Sequence, residues 1–192
     1  MPVEPMPRLL VIIASTRPGR VGLPVAAWFS ERVVAHGGFE LEVVDLAEFE
    51  LPFLNEAKHP RLGDYSHGHT HAWSEIVARA DAVVMVTAEY NYGYPAPLKN
   101  AIDYLHSEWR YKPVGVVSYG GVAAGTRAVQ QLKQVVTALS MTPSGPSVNI
   151  PFVAQFVKAG VIEPNDTMTE AAAVMLDELI RLELALRPLR QS

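Results

Sequence analysis

Wholly apolar runs alternate along this chain with segments whose apolar residues recur every third or fourth position. Leu9 to Ala14 is unbroken apolar, the pattern of a strand covered on both faces. A Ser-Thr-Arg-Pro-Gly-Arg loop follows. Pro24 suits a first helical turn, and Val25, Ala26, Phe29 and Val33 share one face, which predicts a helix as far as Gly37-Gly38. Phe39, Leu41, Val43 and Val44 form a second, partly alternating strand that ends at Asp45. A long loop is expected from Leu46 to Gly63, then a helix from Tyr65 to Ala80 through Trp73, Ile76 and Val77. Ala82 to Ala88 reads as another buried strand. Pro97 opens a helix carried by Leu98, Ala101, Ile102 and Leu105, and Val114 to Ser118 is the fourth strand. Gly120-Gly121 turns the chain into a helix whose inner face is Val129, Leu132, Val136 and Leu139. A short strand from Ser147 to Ile150 and a last helix with Ala172, Met175, Leu179, Leu182 and Leu186 complete the set.

Strands alternating with helices at this spacing require a parallel α/β sheet with helices on both faces, because the crossovers are right-handed. Five such units give the order 2-1-3-4-5, in which ligands lie beyond the carboxyl ends of the strands near the switch point between strands 1 and 3. The loops after strands 1, 3 and 4 are therefore the expected site. A length of 192 residues fits one domain, with a core over residues 8–187 and a flexible lead over residues 1–7. No internal repeat or interdomain linker interrupts it.

Composition narrows the chemistry. The chain is 49% hydrophobic and 19% charged, and its net charge of −4 gives no general attraction for nucleic acid. It has no cysteine, which removes thiol redox chemistry, zinc thiolates and iron–sulfur clusters. Any redox function needs a borrowed group. The opening Met-Pro-Val-Glu-Pro-Met-Pro has no basic stretch leading into a signal core, and no apolar run approaches the ~20 residues of a membrane span. A cytoplasmic protein without membrane partners is expected.

Ser15, Thr16, Arg17 and Arg20 offer two hydroxyls and two guanidinium groups just before a helix N-terminus, the parts a phosphate dianion needs. That reading is favoured over a solvated loop. Thr87 to Pro97 packs three tyrosines beside glycine and proline, suited to a flat heterocycle or to a neighbouring subunit. Ser118-Tyr119-Gly120-Gly121 lets a ligand approach the backbone. Gly120 to Arg127 imitates a nucleotide-triphosphate loop but lacks the lysine, and is rejected as one.

Together these loops resemble the NADPH-dependent FMN reductase family, which includes quinone, azo-dye and chromate reductases. The most specific piece is Glu89-Tyr90-Asn91-Tyr92-Gly93-Tyr94-Pro95-Ala96-Pro97-Leu98-Lys99-Asn100-Ala101-Ile102-Asp103-Tyr104. The resemblance implies a flavodoxin-like three-layer sandwich and a bound FMN. It implies that Ser15, Thr16 and Arg17, with Arg20, Val21 and Gly22, hold the phosphate. Glu89, Tyr90, Asn91 and Tyr92 would border the isoalloxazine, and Ser118, Tyr119, Gly120 and Gly121 would meet its pyrimidine edge. It also implies a homodimer, or a tetramer, with flavin near the interface. Ala14 replaces the family's usual Gly, and Ala88 its frequent Pro.

The expected activity is transfer of hydride from NADPH or NADH through FMN to small-molecule electron acceptors such as flavins and quinones, in a ping-pong sequence. An electron carrier or redox sensor is the alternative. No catalytic side chain and no metal is assigned. His67, His69 and His71 are read as histidines at a helix entrance, and Trp109, with Tyr104 and Tyr111, as packing at a dimer seam. Asp45 ends strand 2 where a dinucleotide fold keeps its ribose carboxylate, but no G-x-G-x-x-G follows strand 1.

Overall fold

Residues 5–190 are described in the computed structural model, so four of the seven residues expected to be a flexible lead, 1–4, lie outside them. Strands β1 (Arg8–Ile13), β2 (Glu40–Asp45), β3 (Ala82–Ala88) and β4 (Pro113–Tyr119) pair in parallel in the order β2-β1-β3-β4. The fifth position, next to β4, is divided between β5 (Thr142–Pro143) and β6 (Val148–Ile150). The split follows from Ser144-Gly145-Pro146-Ser147: β5 meets Pro113 and Val114, β6 meets Val117 to Tyr119, and the intervening residues loop out. The expected order 2-1-3-4-5 is the observed one.

Helices α1 (Gly22–His36) and, at the far end of the chain, α6 (Asp166–Arg190) cover one face of the sheet. The other face carries α2 (Leu46–Phe49), α3 (Gly68–Arg79), α4 (Ala96–Asp103) and α5 (Thr126–Ala138). Alternation along β1 divides the core: Leu9, Val11 and Ile13 pack under α1, Leu10 and Ile12 under the opposite layer. A small antiparallel hairpin, β7 (Val157–Lys158) with β8 (Val161–Ile162), precedes α6.

Several boundaries differ from expectation for local reasons. The predicted loop after β2 begins instead with α2, because the Asp45 carboxylate caps it, accepting from Ala47 N at 3.0 Å. Helix α3 starts at Gly68 and not Tyr65, because Ser66 N and His67 N are held by the Glu56 carboxylate at 2.8 and 3.1 Å. Helix α5 starts at Thr126, since Ala124 and Gly125 lie at φ 53° and 82° and keep residues 120–125 as a loop. Helix α4 stops at Asp103, short of Leu105, and α6 runs on to Arg190.

Tyr104 and Trp109 belong to the core and not to a surface seam, since neither ring is exposed. Trp109 Nε1 donates to the Ile102 carbonyl at 3.1 Å and its ring meets Trp73 edge-on, while Tyr104 Oη donates to the Pro52 carbonyl at 3.1 Å. The apolar periodicity of the segment carried these rings inward.

Gly115 lets α6 close on the middle of β4. A Cβ there would stand 2.9 Å from Met175 Sδ, 3.1 Å from Leu179 Cδ1 and 3.3 Å from Val84 Cγ2. Gly115→Val is therefore expected to destabilise by ~1–3 kcal/mol, the usual size of an overpacking penalty. Urea denaturation should show a lower midpoint with an unchanged slope. An unaltered midpoint would mean that α6 yields freely.

Candidate active site

Residues 14–21 leave β1 and enter α1. Arg20 N closes a turn on the Arg17 carbonyl at 3.0 Å, with Gly19 at φ 70°. Among the described residues the N–H groups of Thr16, Arg17, Gly19 and Val21 have no partner. Val21 is the N-cap of α1 and supplies no side-chain cap, and no acidic residue stands in the first turn. The positive end of a fifteen-residue helix is thus left open, which favours an anion. Arg17 is exposed and has no ion-pair partner among the described residues. Arg20 differs: its guanidinium is paired with Asp45, both side chains being largely buried. Arg20 thus pins this loop to the end of β2, and Arg17 is the free cation.

The loop after β3 is a two-residue hairpin. Tyr90 N donates to the Gly93 carbonyl at 2.8 Å and Gly93 N to the Tyr90 carbonyl at 2.9 Å, with Asn91 at φ 50° and Tyr92 at φ 71°. Both central residues are left-handed, as a type I′ turn demands. Glycine is the usual occupant of Tyr92's position, so the turn is strained and must be held. Arg127, from the first turn of α5, does this. Its Nε donates to Glu89 Oε1 at 2.6 Å, its main-chain N to Glu89 Oε2 at 3.2 Å, and its guanidinium lies 3.9 Å from the centre of the Tyr92 ring. Tyr90 Oη in turn lies 2.6 Å from Ser15 Oγ, joining this loop to the first.

The third loop, after β4, is anchored from within. Ser118 is fully buried, and its Oγ donates to the Ala124 carbonyl at 2.7 Å, with Asn149 Oδ1 at 2.9 Å. Its hydroxyl is occupied by the loop itself. Phe152 N and Val153 N take the carbonyls of Gly121 and Gly120, both at 3.1 Å, while the N–H groups of Gly121, Val122 and Ala123 have no partner among the described residues. Tyr119, the next residue on the strand, turns to the opposite face and reaches Gly22 at the start of α1. Ser118 to Gly121, expected as one group at a pyrimidine edge, are separated in the structure: Gly120 N donates to the Ile150 carbonyl at 3.2 Å, and of the four only Gly121 keeps an open main-chain N–H at that rim.

Sequence reasoning missed Arg127, Phe152 and Asn149. In the sequence Arg127 only ends the Gly120 to Arg127 run that imitates a nucleotide-triphosphate loop without its lysine, and no pattern shows that Glu89 would find it. The histidines take structural bonds: His67 and His69 stack at 5.1 Å, and His67, His69 and His71 contact Asn55 O, Asn55 Oδ1 and Tyr65 O at 3.2, 3.0 and 3.1 Å. No group of three metal ligands occurs among the described residues.

A cleft of about 680 Å³ lies at the other end of the sheet and includes Arg8, Asp81, Lys112 and Arg190. Its charges are matched internally. Arg8 pairs with Glu40, and Arg190 with Glu183 and Asp81. Lys112 Nζ donates to the Val77 and Ala78 carbonyls at the end of α3, and burial, with Arg190 nearby, lowers its pKa to about 8. Unspent donors gather instead at the carboxyl edge of the strands.

That edge fits a phosphorylated, flat, hydrogen-bonding ligand such as FMN. An open helix N-terminus with one free arginine suits the phosphate, the tyrosine hairpin suits a ring, and the amides of residues 121–123 suit carbonyl acceptors. The comparisons agree. The NADPH-dependent FMN reductase family matches residues 7–155. The chain is 40% identical over 162 residues to an NAD(P)H-dependent FMN reductase of Schizosaccharomyces pombe, covering 82% of this chain and 80% of that protein. It is 34% identical over 183 residues to an NAD(P)H-dependent FMN reductase of Saccharomyces cerevisiae, covering 90% and 92%. Its fold resembles the flavoenzyme NAD(P)H:(acceptor) oxidoreductase FerB of Paracoccus denitrificans, with a TM-score of 0.73 at 22% identity over 91% of this chain and 98% of that one. A flavodoxin of Streptococcus pneumoniae shares the fold at a TM-score of 0.54 and 14% identity, covering 90% and 97%. No helix among the described residues is long and apolar enough to cross a membrane. The chain belongs to the NADPH-dependent FMN reductase family, and it is an oxidoreductase whose chemistry joins a reduced nicotinamide to FMN.

Proposed function

We propose that this protein holds FMN at the carboxyl edge of its sheet and passes electrons from NADPH or NADH to small acceptors, flavins and quinones among them, in a ping-pong sequence. The observation that carries this reading is the set of unpartnered donors there: the open start of α1 with Arg17, and the amides of Gly121, Val122 and Ala123. Ser15, Thr16, Val21 and Gly22 complete the phosphate end, and Arg20 acts through its bond to Asp45. Glu89 to Tyr92 border the ring, with Glu89 acting through Arg127. Bound FMN supplies the hydride- and electron-accepting chemistry. The side chains orient the partners and exclude water, and no proton-transferring residue is needed for the reductive step.

Arg17→Ala removes the cation at the phosphate end that has no ion-pair partner among the described residues. FMN affinity is expected to fall roughly tenfold to a hundredfold, the effect of losing a charge-assisted hydrogen bond worth ~1.5–3 kcal/mol. Riboflavin, which has no phosphate, should bind almost as before. Fluorescence titration of both flavins checks this, and equal losses would overturn the phosphate assignment.

Tyr92, Val122 and Phe152 are 60%, 76% and 50% exposed along the rim of the site. Apolar side chains grouped in this way favour a symmetric homodimer in which this rim meets its copy. Light scattering of the FMN-loaded protein at micromolar concentration should give twice the chain mass; a monomer would refute it.

One shared site requires the oxidised nicotinamide to leave before an acceptor can enter. Steady-state rates with NADPH and a quinone should then give parallel double-reciprocal lines, with excess acceptor competing against NADPH. Hydride transfer depends on stacking and orientation and not on an ionising base, so the anaerobic reduction rate should change little between about pH 6 and 8. Reduction taking hours would favour an electron carrier, and intersecting lines would reject the shared site.

A further inference from the structure

Lys112 stands immediately before β4, at the end of the sheet away from the cofactor site, and only 4% of its surface is exposed. Lys58, Lys99, Lys133 and Lys158 are all more open to solvent. The cleft of about 680 Å³ described above and a second of about 640 Å³ share Ala78, Lys112 and Arg190 in their walls. The same lysine is thus reached from two sides by anything small enough to enter either cleft.

Lys112 Nζ donates to the carbonyls of Val77 and Ala78, in the last turn of α3. A helix end leaves such carbonyls available. Besides its bond to Cε the nitrogen has three directions, and these two bonds take up two of them. The third meets no acceptor, and no carboxylate pairs with the group, among the described residues. An ammonium would keep its third N–H buried and unsatisfied. A neutral amine spends both its N–H groups on α3 and holds its lone pair in the third direction, so the surroundings fit the amine better. Burial first, and then Arg190 at the end of α6, act in the same sense and lower the pKa from an ordinary 10.5 to about 8. Asp81 and Glu108, the acidic groups that face it, offset this only in part. Near neutral pH the uncharged share is then on the order of a hundred times that of a lysine at the ordinary value.

We propose that Lys112 is a site of reversible carbamylation by carbon dioxide, with the new carboxylate lying in the cleft beside Arg190. The lone pair of Nζ forms a bond to the carbon of carbon dioxide as one C–O π bond opens onto oxygen, and one N–H proton passes to water. Nζ keeps a single N–H for α3, and the group changes from a potential cation to an anion. Carbon dioxide is neutral and small, so it needs no unpaired charge to draw it into a cleft whose arginines are already matched. The product needs one cation close by, and Arg190, which lies 3.5 Å from Asp81, is that cation. The modification would thereby link the start of β4, the end of α3 and the end of α6 to the level of dissolved carbon dioxide.

The protein would be equilibrated with ¹³C-labelled bicarbonate and carbon dioxide near neutral pH, treated with triethyloxonium to convert carbamate into a stable ester, and mapped by peptide mass spectrometry. Lys112 should carry at least roughly tenfold more label than any of Lys58, Lys99, Lys133 or Lys158, and its label should rise as the pH passes through about 8 at constant dissolved carbon dioxide. Arg190→Gln should lower the occupancy severalfold, because the lysine regains its proton more readily and the carbamate loses its counter-charge. No label at Lys112, label spread evenly over the lysines, or label confined to the α-amino group would each overturn the proposal and leave Lys112 as a cap of α3 alone. Those outcomes are read on the wild-type protein, so they hold even where the variant does not fold. A folded Arg190→Gln protein with undiminished label would also overturn it.

Discussion

Main-chain N–H groups kept without partners at one edge of a parallel sheet are the constraint on which this structure depends. A parallel sheet sends the ends of β1, β3 and β4 to the same edge, and the loops leaving them would ordinarily satisfy their own amides or collapse on one another. Here each loop is also held by side-chain bonds, and several amides of the first and third loops have no partner among the described residues. Arg20 ties the first to Asp45, Glu89 and Arg127 fasten the second to α5, and Ser118 fixes the third through the Ala124 carbonyl. Ser15 and Tyr90 join the first two loops directly.

Holding the loops in this way costs stability locally. Asn91, Tyr92, Ala124 and Phe152 all lie at positive φ without being glycine, and all flank the edge. Positions of this kind cost on the order of 1–3 kcal/mol each. The rigid part of the fold sits elsewhere, in two apolar layers packed on a sheet whose central strands are wholly buried. A ligand that satisfies the open donors stabilises the folded chain by mass action, adding ~2.7 kcal/mol at a hundred times its dissociation constant. Preorganisation and ligand-linked stability therefore have the same origin.

The layered fold was legible in the sequence because burial imposes it. Runs such as Ala82 to Ala88 cannot be placed anywhere but inside a covered sheet, and helical periods such as Val129, Leu132 and Val136 fix which face packs. What was not legible depends on single polar bonds between distant residues. Helix α2 exists because Asp45 caps it, α3 is shortened by Glu56, and the fifth strand breaks where Ser144 to Ser147 loop out. The site divides in the same way. Its loops could be named from topology, but which side chains face a ligand and which hold the loops could not. Arg20, Glu89 and Ser118 read as ligands in sequence, and in three dimensions each also bonds another part of the chain, while Arg127 carries no signal apart from its partners.

The two ends of the sheet make the distinction clear, because both are rich in arginine. At the amino end Arg8 meets Glu40, Arg79 meets Glu42, and Arg190 meets Glu183 and Asp81, so a large cleft contains almost no unspent charge. At the carboxyl end Arg17 has no ion-pair partner among the described residues and stands beside an uncapped helix. An exposed arginine left unpaired costs little by itself, and beside an open helix end it remains available to an anion. What separates a binding edge from a merely concave one is the pattern of donors that the folded chain declines to use itself.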